Sequence, residues 1–345
     1  MSKICICGHF GGKNVCLDGQ TVKTKNLYNT LKTMGADISV IDTYNPKKRL
    51  ISIIFQCIKA TLTNKNIIIL PAHNGIKLFV PLFSVFSSIF KNKIHYAVVG
   101  GWLPEYLTAN KWLIKFVKKL DFIYVEANMM KENLNKLGLN NVSIMCNFKD
   151  LQPVETKEIN ADHEKPYKFC TFSRVSKEKG IEDAVNAIIS LNDEYKDVVA
   201  TLDIYGPVDE DYKERFEKIK KDFPEYIRYM GMVPSEKSVE IIKEYYMLLF
   251  PTYYEGEGFA GTLIDAFSAA LPVIATNWRY NSEIVTDGHT GYIYSYKEKE
   301  KLKEKIKFAC ENPDSIQRMR YNCVEESKKY IPEIAIFPLY KNLEE

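Results

Sequence analysis

The chain has 345 residues, enough for two domains of ordinary size, and its 46% apolar and 26% charged residues are a globular composition with no sign of disorder, collagen or coiled coil. The net charge of +3 conceals a split. Residues 1–150 carry 20 Lys or Arg against 8 Asp or Glu, a net of +12, whereas residues 151–345 carry 27 against 36, a net of −9.

The first stretch, MSKICICGHFGG, reads as a short apolar strand over 3–7 ending in glycine. It has neither the basic start nor the long apolar core of a signal peptide. Helices are then expected over 19–34, 51–61, 76–90 and 130–137, and strands over 38–41, 67–70, 94–99, 122–125 and 142–145. The longest apolar run, 78–90, includes three serines and is too short to span a bilayer. Such βαβ alternation implies a parallel sheet with helices on both faces.

The basic first half is a candidate for an anionic partner. Nucleic acid is not expected, because no groove-reading helix or aromatic platform accompanies the basic residues. Residues 103–120 interleave Trp112, Leu113, Phe116 and Val117 with Lys111, Lys115, Lys118 and Lys119. That pattern suits an amphipathic helix lying on an anionic membrane surface. It suits equally an ordinary surface helix whose apolar stripe packs on a sheet.

Residues 151–166 hold Pro153, Pro166 and a run of charges without apolar period, and read as a linker. The alternation then restarts, with strands over 167–173, 199–205, 227–230, 247–250, 273–275 and 292–293. Helices are expected over 180–191, 211–223, 235–245 with Ser235 as N-cap, 297–310 and 313–330. The fold class is therefore α/β, two successive doubly wound domains, whose ligands bind at the carboxyl ends of the strands in the cleft between them. Eight cysteines without a C-x-x-C pair read as buried free thiols in a reducing cytoplasm, and no metal cluster is visible.

The most informative segment is EGEGFAGTLIDAFSAALPVIAT, residues 255–276. A buried strand precedes it and a helix starts near Thr262, so backbone N–H groups of Phe259, Ala260, Gly261 and Thr262 form an anion site suited to a diphosphate. Glu257 and Asp265, a little over two helical turns apart, can reach the head and the tail of one ligand. The spacing alone is met as well by a plain strand, turn and helix with an N-cap acid. The surrounding residues go further. The segment resembles the signature of the retaining family-4 (group 1) glycosyltransferases, E-G-F-G-L-x-x-x-E-A-x-A-x-G-x-P-V-I-A-T. Glu257, Gly258, Phe259, Gly261, Ala266, Ala269 and Pro272–Thr276 lie in or close to that run, while Asp265 replaces its second Glu and Ala260 and Ala270 replace glycines.

Further stretches are similar to the same family. FSRVSKEKG, residues 172–180, resembles its G-R-x-x-x-E-K-G motif, which supplies the cations Arg174 and Lys179 to a leaving diphosphate, with Ser173 for the leading Gly. Tyr205-Gly206-Pro207 resembles a turn in which glycine lets the backbone approach the nucleotide, and the segment around Val233 resembles one that lies along the base. Gly11 and Gly12 stand where the family brings backbone up to the donor diphosphate, followed by a short insert, with Lys23 and Lys25 adding charge. The family histidine expected near Val99 is absent; His73, after the preceding strand, reads either as its substitute or as a local hydrogen-bonding residue, and Gly100, Gly101 and Glu126 complete a candidate acceptor side. Phe148, in a turn similar to the family's P-N-G-V-D, suggests an apolar acceptor wall.

The resemblance implies the GT-B fold, two facing Rossmann-like domains with an interdomain cleft. The domains expected are an acceptor-binding one over 1–155 completed by 331–345, and a nucleotide-sugar-binding one over 165–330. It implies a metal-independent enzyme without cofactor that moves a hexose, with retention, from a nucleotide-sugar to a glycan or lipid-linked acceptor in surface polysaccharide or capsule biosynthesis. The expected location is cytoplasmic and peripheral to the inner face of the membrane. The alternatives are a nucleotide-sugar epimerase or phosphorylase of the same architecture, or a non-catalytic partner subunit.

Overall fold

Twelve strands appear in the computed structural model, which describes residues 3–12, 19–44, 46–159 and 164–344. They form two six-stranded parallel sheets in two units, Met1–Asp150 with Tyr330–Glu345, and Leu151–Lys329.

In unit 1 the strands are β1 (Ile4–Gly8), β2 (Ile38–Asp42), β3 (Asn66–Ile69), β4 (Lys93–Ala97), β5 (Phe122–Val125) and β6 (Val142–Ile144), in the order β2-β1-β3-β4-β5-β6. The direction of winding reverses between β1 and β3. Right-handed crossovers therefore put Gly19–Thr33 on one face and Pro46–Thr63 and Ile76–Phe90 on the other. With both faces covered, the central strands are buried along their length. Ile4 and Ile6 pack with Leu27, Leu31 and the C-terminal Ile336, Leu339 and Leu343. Cys5 and Cys7 alternate with them and face Cys57 of Pro46–Thr63.

Two helices close the chain, Pro332–Ala335 and Phe337–Glu344, and wall this sheet. Asn66 Nδ2 donates to the Leu343 carbonyl at 3.2 Å, and Asn342 Nδ2 to the Tyr124 hydroxyl at 2.9 Å. His95 sits within the same network, 3.1 Å from the Tyr124 hydroxyl and 3.0 Å from Asn66 Oδ1.

In unit 2 the strands are β7 (Tyr167–Phe172), β8 (Ala200–Tyr205), β9 (Ile227–Gly231), β10 (Met247–Phe250), β11 (Val273–Thr276) and β12 (Gly291–Tyr294). Their order, β12-β11-β10-β7-β8-β9, is a doubly wound Rossmann arrangement reversing between β7 and β10.

Three expectations need correction. Residues 103–120 are not one helix but Leu103–Ala109, a 3-10 turn Lys111–Leu113 and Ile114–Val117; Leu103, Leu107, Leu113 and Val117 are packed inward, as for an ordinary surface helix. Residues 235–245 form a 3-10 turn, Ser235–Lys237, and a short helix, Ser238–Ile242. Pro234 holds the N-cap position, and the Ser235 hydroxyl turns to Glu236. Residues 151–159 are not a loose linker: the Val154 N–H donates to the Ser268 carbonyl at 2.8 Å, and Val154 and Ile159 pack on Ala270 and Val324. Residues 160–163 of that stretch lie outside the described residues.

Candidate active site

In unit 2 the crevice lies where the strand order reverses, at the carboxyl ends of β7 and β10. Two glycines draw its loops together. Gly180 has φ of 71°, and a Cβ there would stand 2.3 Å from the Pro251 carbonyl oxygen just after β10. Only glycine admits this contact, and it brings the turn Lys177–Lys179 against the loop after β10. The Tyr253 N–H then donates to the Glu178 carbonyl at 2.8 Å. Gly206 is the second: a Cβ there would stand 1.8 Å from the Ser173 carbonyl oxygen. The β7 loop alone is therefore enough to require glycine at this position.

Lys179 and Glu257 meet inside this crevice. The ammonium donates to Glu257 Oε2 at 2.6 Å, and the Thr252 hydroxyl donates to the same oxygen at 2.8 Å. Both side chains are buried rather than displayed on an open loop. Arg174 remains half exposed and pairs with Asp209 at 3.0 Å. One aromatic ring joins the two cations: the Arg174 guanidinium lies 5.3 Å and the Lys179 ammonium 5.2 Å from the centre of Tyr254. Tyr254 is itself fixed through its carbonyl, which accepts from Trp278 Nε1 at 2.7 Å. Asp209, Thr252, Tyr254 and Trp278 were not singled out in the sequence; Thr252-Tyr253-Tyr254 directly after a buried strand was the available signal.

The helix after this loop is Gly261–Ser268, with Ala260 as its extended N-cap residue. Gly258 and Phe259 are buried ahead of it. The Thr262 hydroxyl donates to the Phe172 carbonyl at the end of β7, which pins the helix start to the crevice. Its first N–H groups open onto the same crevice as Arg174 and Lys179, an arrangement of donors that can hold an anion. Asp265 is buried in the helix and accepts from the Ser238 hydroxyl at 2.8 Å. Val233 is half-buried in the loop after β9. A neighbouring cavity of about 490 Å³ beside Arg174 is lined by Glu178, Asp209, Glu210 and Asp211 against Arg174 and Lys177, a charge balance unsuited to a diphosphate.

In unit 1 the loop after β1 is organised by Asp42. Its carboxylate accepts from the N–H groups of Phe10 (2.9 Å), Gly12 (3.0 Å) and Tyr44 (2.9 Å), and Gly11 and Gly12 both take positive φ. His9 Nδ1 lies 2.6 Å from the Thr21 hydroxyl. Asp42 and His9 were missed in the sequence, although an acid closing the second strand is a visible signal. The insert at 13–18 lies outside the described residues. Lys23 is not a spare cation: it is buried against Glu126 and donates to the Val98 carbonyl at 2.8 Å. Glu126 is accordingly a buried ion-pair partner, not an open rim residue. Phe148 packs in the core rather than forming an acceptor wall. His73 is exposed and packs at a tilt against Trp102, with ring centres 4.1 Å apart and planes 49° apart, next to Gly100 and Gly101; partial desolvation lowers its pKa.

The family model described as glycosyl transferases group 1 matches residues 154–329, just over half of the chain. An uncharacterized glycosyltransferase of Methanocaldococcus jannaschii is 24% identical over 262 residues, 73% of this chain and 61% of that protein. The GtfA subunit of the UDP-N-acetylglucosamine–peptide N-acetylglucosaminyltransferase of Streptococcus gordonii is 26% identical over 266 residues, 72% of this chain and 48% of that protein. The chain thus spans less than two thirds of the length of either relative. Among solved structures, Anabaena HepE in complex with UDP is similar in fold, with a TM-score of 0.76 and 14% identity over the whole of both chains.

Proposed function

The chain belongs to the glycosyl transferases of group 1, and from that membership and its GT-B fold we propose that it transfers a sugar from a nucleotide-sugar to a hydroxyl of a glycan acceptor, with retention at the anomeric carbon. The observation that carries this reading is the convergence of Arg174, Lys179 and the start of Gly261–Ser268 on one crevice of unit 2, with Glu257 held beside them. Cations and N–H dipoles placed where a diphosphate leaves stabilise the charge that grows in the transition state. The bond from the anomeric carbon to the phosphate oxygen breaks, and the acceptor hydroxyl attacks from the same face. Its proton passes to the departing phosphate. Arg174 turns from Asp209 to the diphosphate, and Lys179 serves it with donors left over from Glu257. Glu257 holds hydroxyls of the donor sugar, and Asp265 accepts from the ribose.

The donor is a UDP- or GDP-sugar, in keeping with the UDP held by the Anabaena structure. Since the protein's own cations face the diphosphate, transfer proceeds without metal and persists in EDTA. The acceptor is lipid-linked, as in assembly of a surface polysaccharide or capsule, and the enzyme works in the cytoplasm at the membrane face; the net +12 of residues 1–150 supports this. Among the described residues no helix is long and apolar enough to cross a membrane. Incubation with a panel of UDP-, GDP- and dTDP-sugars, with donor hydrolysis followed by release of the nucleoside diphosphate, tests the reading. Release from at least one donor, lost in Glu257→Gln, is expected. No binding and no release across the panel overturns it.

A further inference from the structure

Two helices of unit 1 carry apolar residues on both faces. Pro46–Thr63 turns Ile53, Cys57 and Ala60 inward, yet Ile51, Phe55 and Leu62 point outward, the first two 73% and 67% exposed. Positions 51, 55 and 62 fall on one stripe of a helix of period 3.6. Ile76–Phe90 turns Phe79, Val80 and Phe83 inward, whereas Val85, Ile89 and Phe90 are exposed, Ile89 at 63%. The helices pack against each other on one side of the sheet, so both outer stripes belong to the same side of unit 1. Exposed apolar residues gathered on two neighbouring helices mark a contact surface.

The charge around it identifies the partner. Residues 43–104 hold eight Lys or Arg and no Asp or Glu. Arg49, Lys59, Lys77 and Lys91 are exposed on or beside the two helices. A second copy of the chain would set this basic rim against itself. We propose that the joint outer face of Pro46–Thr63 and Ile76–Phe90 seats on an anionic lipid bilayer, with the apolar stripe entering the interface and the lysines meeting the headgroups. The proposal rests on the reading of a membrane-borne acceptor. It moves the contact away from residues 103–120, whose apolar side chains are largely spent inside unit 1.

Flotation with phosphatidylglycerol-containing vesicles and with pure phosphatidylcholine vesicles, at low and high salt, tests it. Wild type is expected to float with the anionic vesicles only, less so at high salt. Phe55→Glu/Ile89→Glu lowers the bound fraction by about tenfold or more, and Lys59→Gln/Lys91→Gln lowers it at low salt while leaving the apolar stripe intact. Both substituted pairs are surface positions outside the donor crevice, so donor hydrolysis stays unchanged. Equal flotation of wild type and Phe55→Glu/Ile89→Glu overturns the proposal. So does a wild-type dimer that this variant disperses without any vesicle binding, which would give the face to a second copy. Hydrolysis without vesicle binding overturns the lipid face alone; vesicle binding without hydrolysis overturns the transferase reading alone.

Discussion

The pair Lys179 and Glu257 permits stability and catalysis to be separated in one experiment. Two unit charges 2.6 Å apart attract by about 6 kcal/mol at an effective dielectric of about 20, before desolvation is deducted. Both groups are more than nine-tenths buried, so removing either strands the other without water. Among the described residues, Lys179→Met leaves a buried carboxylate with only the Thr252 hydroxyl, and Glu257→Gln leaves a buried ammonium over Phe250 and Tyr254. Each single change is expected to destabilise unit 2 by about 3–5 kcal/mol. The double variant removes both charges and should cost clearly less than the sum, a coupling of about 2 kcal/mol or more. Trp278, the one tryptophan of unit 2, reports its unfolding in urea once Trp102 and Trp112 are replaced by Phe. Donor hydrolysis is measured on the same proteins in the native background. Stability should return in the double variant while hydrolysis stays at least about a hundredfold down. Additive single effects refute the coupled pair, and a double variant with wild-type turnover removes both residues from the chemistry.

Tyr254→Ala releases both cations from their shared ring and should lower kcat/KM about tenfold or more, with Tyr254→Phe close to wild type; equal activity of all three proteins refutes the positioning role. A carboxylate at Asp265 that accepts from the ribose favours UDP and GDP over dTDP by about tenfold or more, since one charge-assisted hydrogen bond is worth about 1.5–3 kcal/mol. Calorimetric titration of the three nucleotides into wild type and Asp265→Asn decides it, and equal affinity for dTDP in wild type sinks the ribose assignment. Burial, with a smaller contribution from Lys93, pulls His95 down to about 3 from 6.5. Below pH 6.5 the unfolded chain therefore takes up a proton that the folded one refuses. The stability this neutral imidazole supports is whole above pH 6.5 and falls toward pH 3 by roughly 1.4 kcal/mol per unit. The thermal midpoint of unit 1 should drop more between pH 7 and pH 4.5 in wild type than in His95→Gln; parallel curves contradict this.

Elements with a strong local pattern were legible from sequence alone. Ile76–Phe90 and the strands Phe122–Val125 and Met247–Phe250 fall where periodicity and apolar runs place them. The break within 103–120 was not legible, because helical spacing of apolar residues persists across Asn110, where the backbone leaves the helix. Arg174, Lys179 and Glu257, which the fold brings together around Tyr254, belong to local motifs and so could be picked out from the sequence. What remained hidden are partners distant in sequence: Asp209 beside Arg174, Tyr254 beneath both cations, Ser238 on Asp265 and Lys23 on Glu126. A charge in a motif carries no mark of whether the fold will bury and pair it. Gly206 shows the same limit, since its glycine answers a carbonyl 33 residues earlier in the chain.

The last helices of the chain have a consequence for the order of assembly. Unit 2 is continuous, Leu151–Lys329, and interrupts unit 1, whose sheet is walled by Pro332–Ala335 and Phe337–Glu344. During synthesis Ile4 and Ile6 thus have Leu27 and Leu31 early but wait for the rest of their covering layer, made more than three hundred residues later. Unit 2 has all its parts once residue 329 has emerged, so it can fold first although it was begun second. A nascent chain halted before residue 330 should hold a finished unit 2 and a unit 1 sheet with one face covered by Gly19–Thr33 alone, which is the interval in which such a chain is most exposed to aggregation.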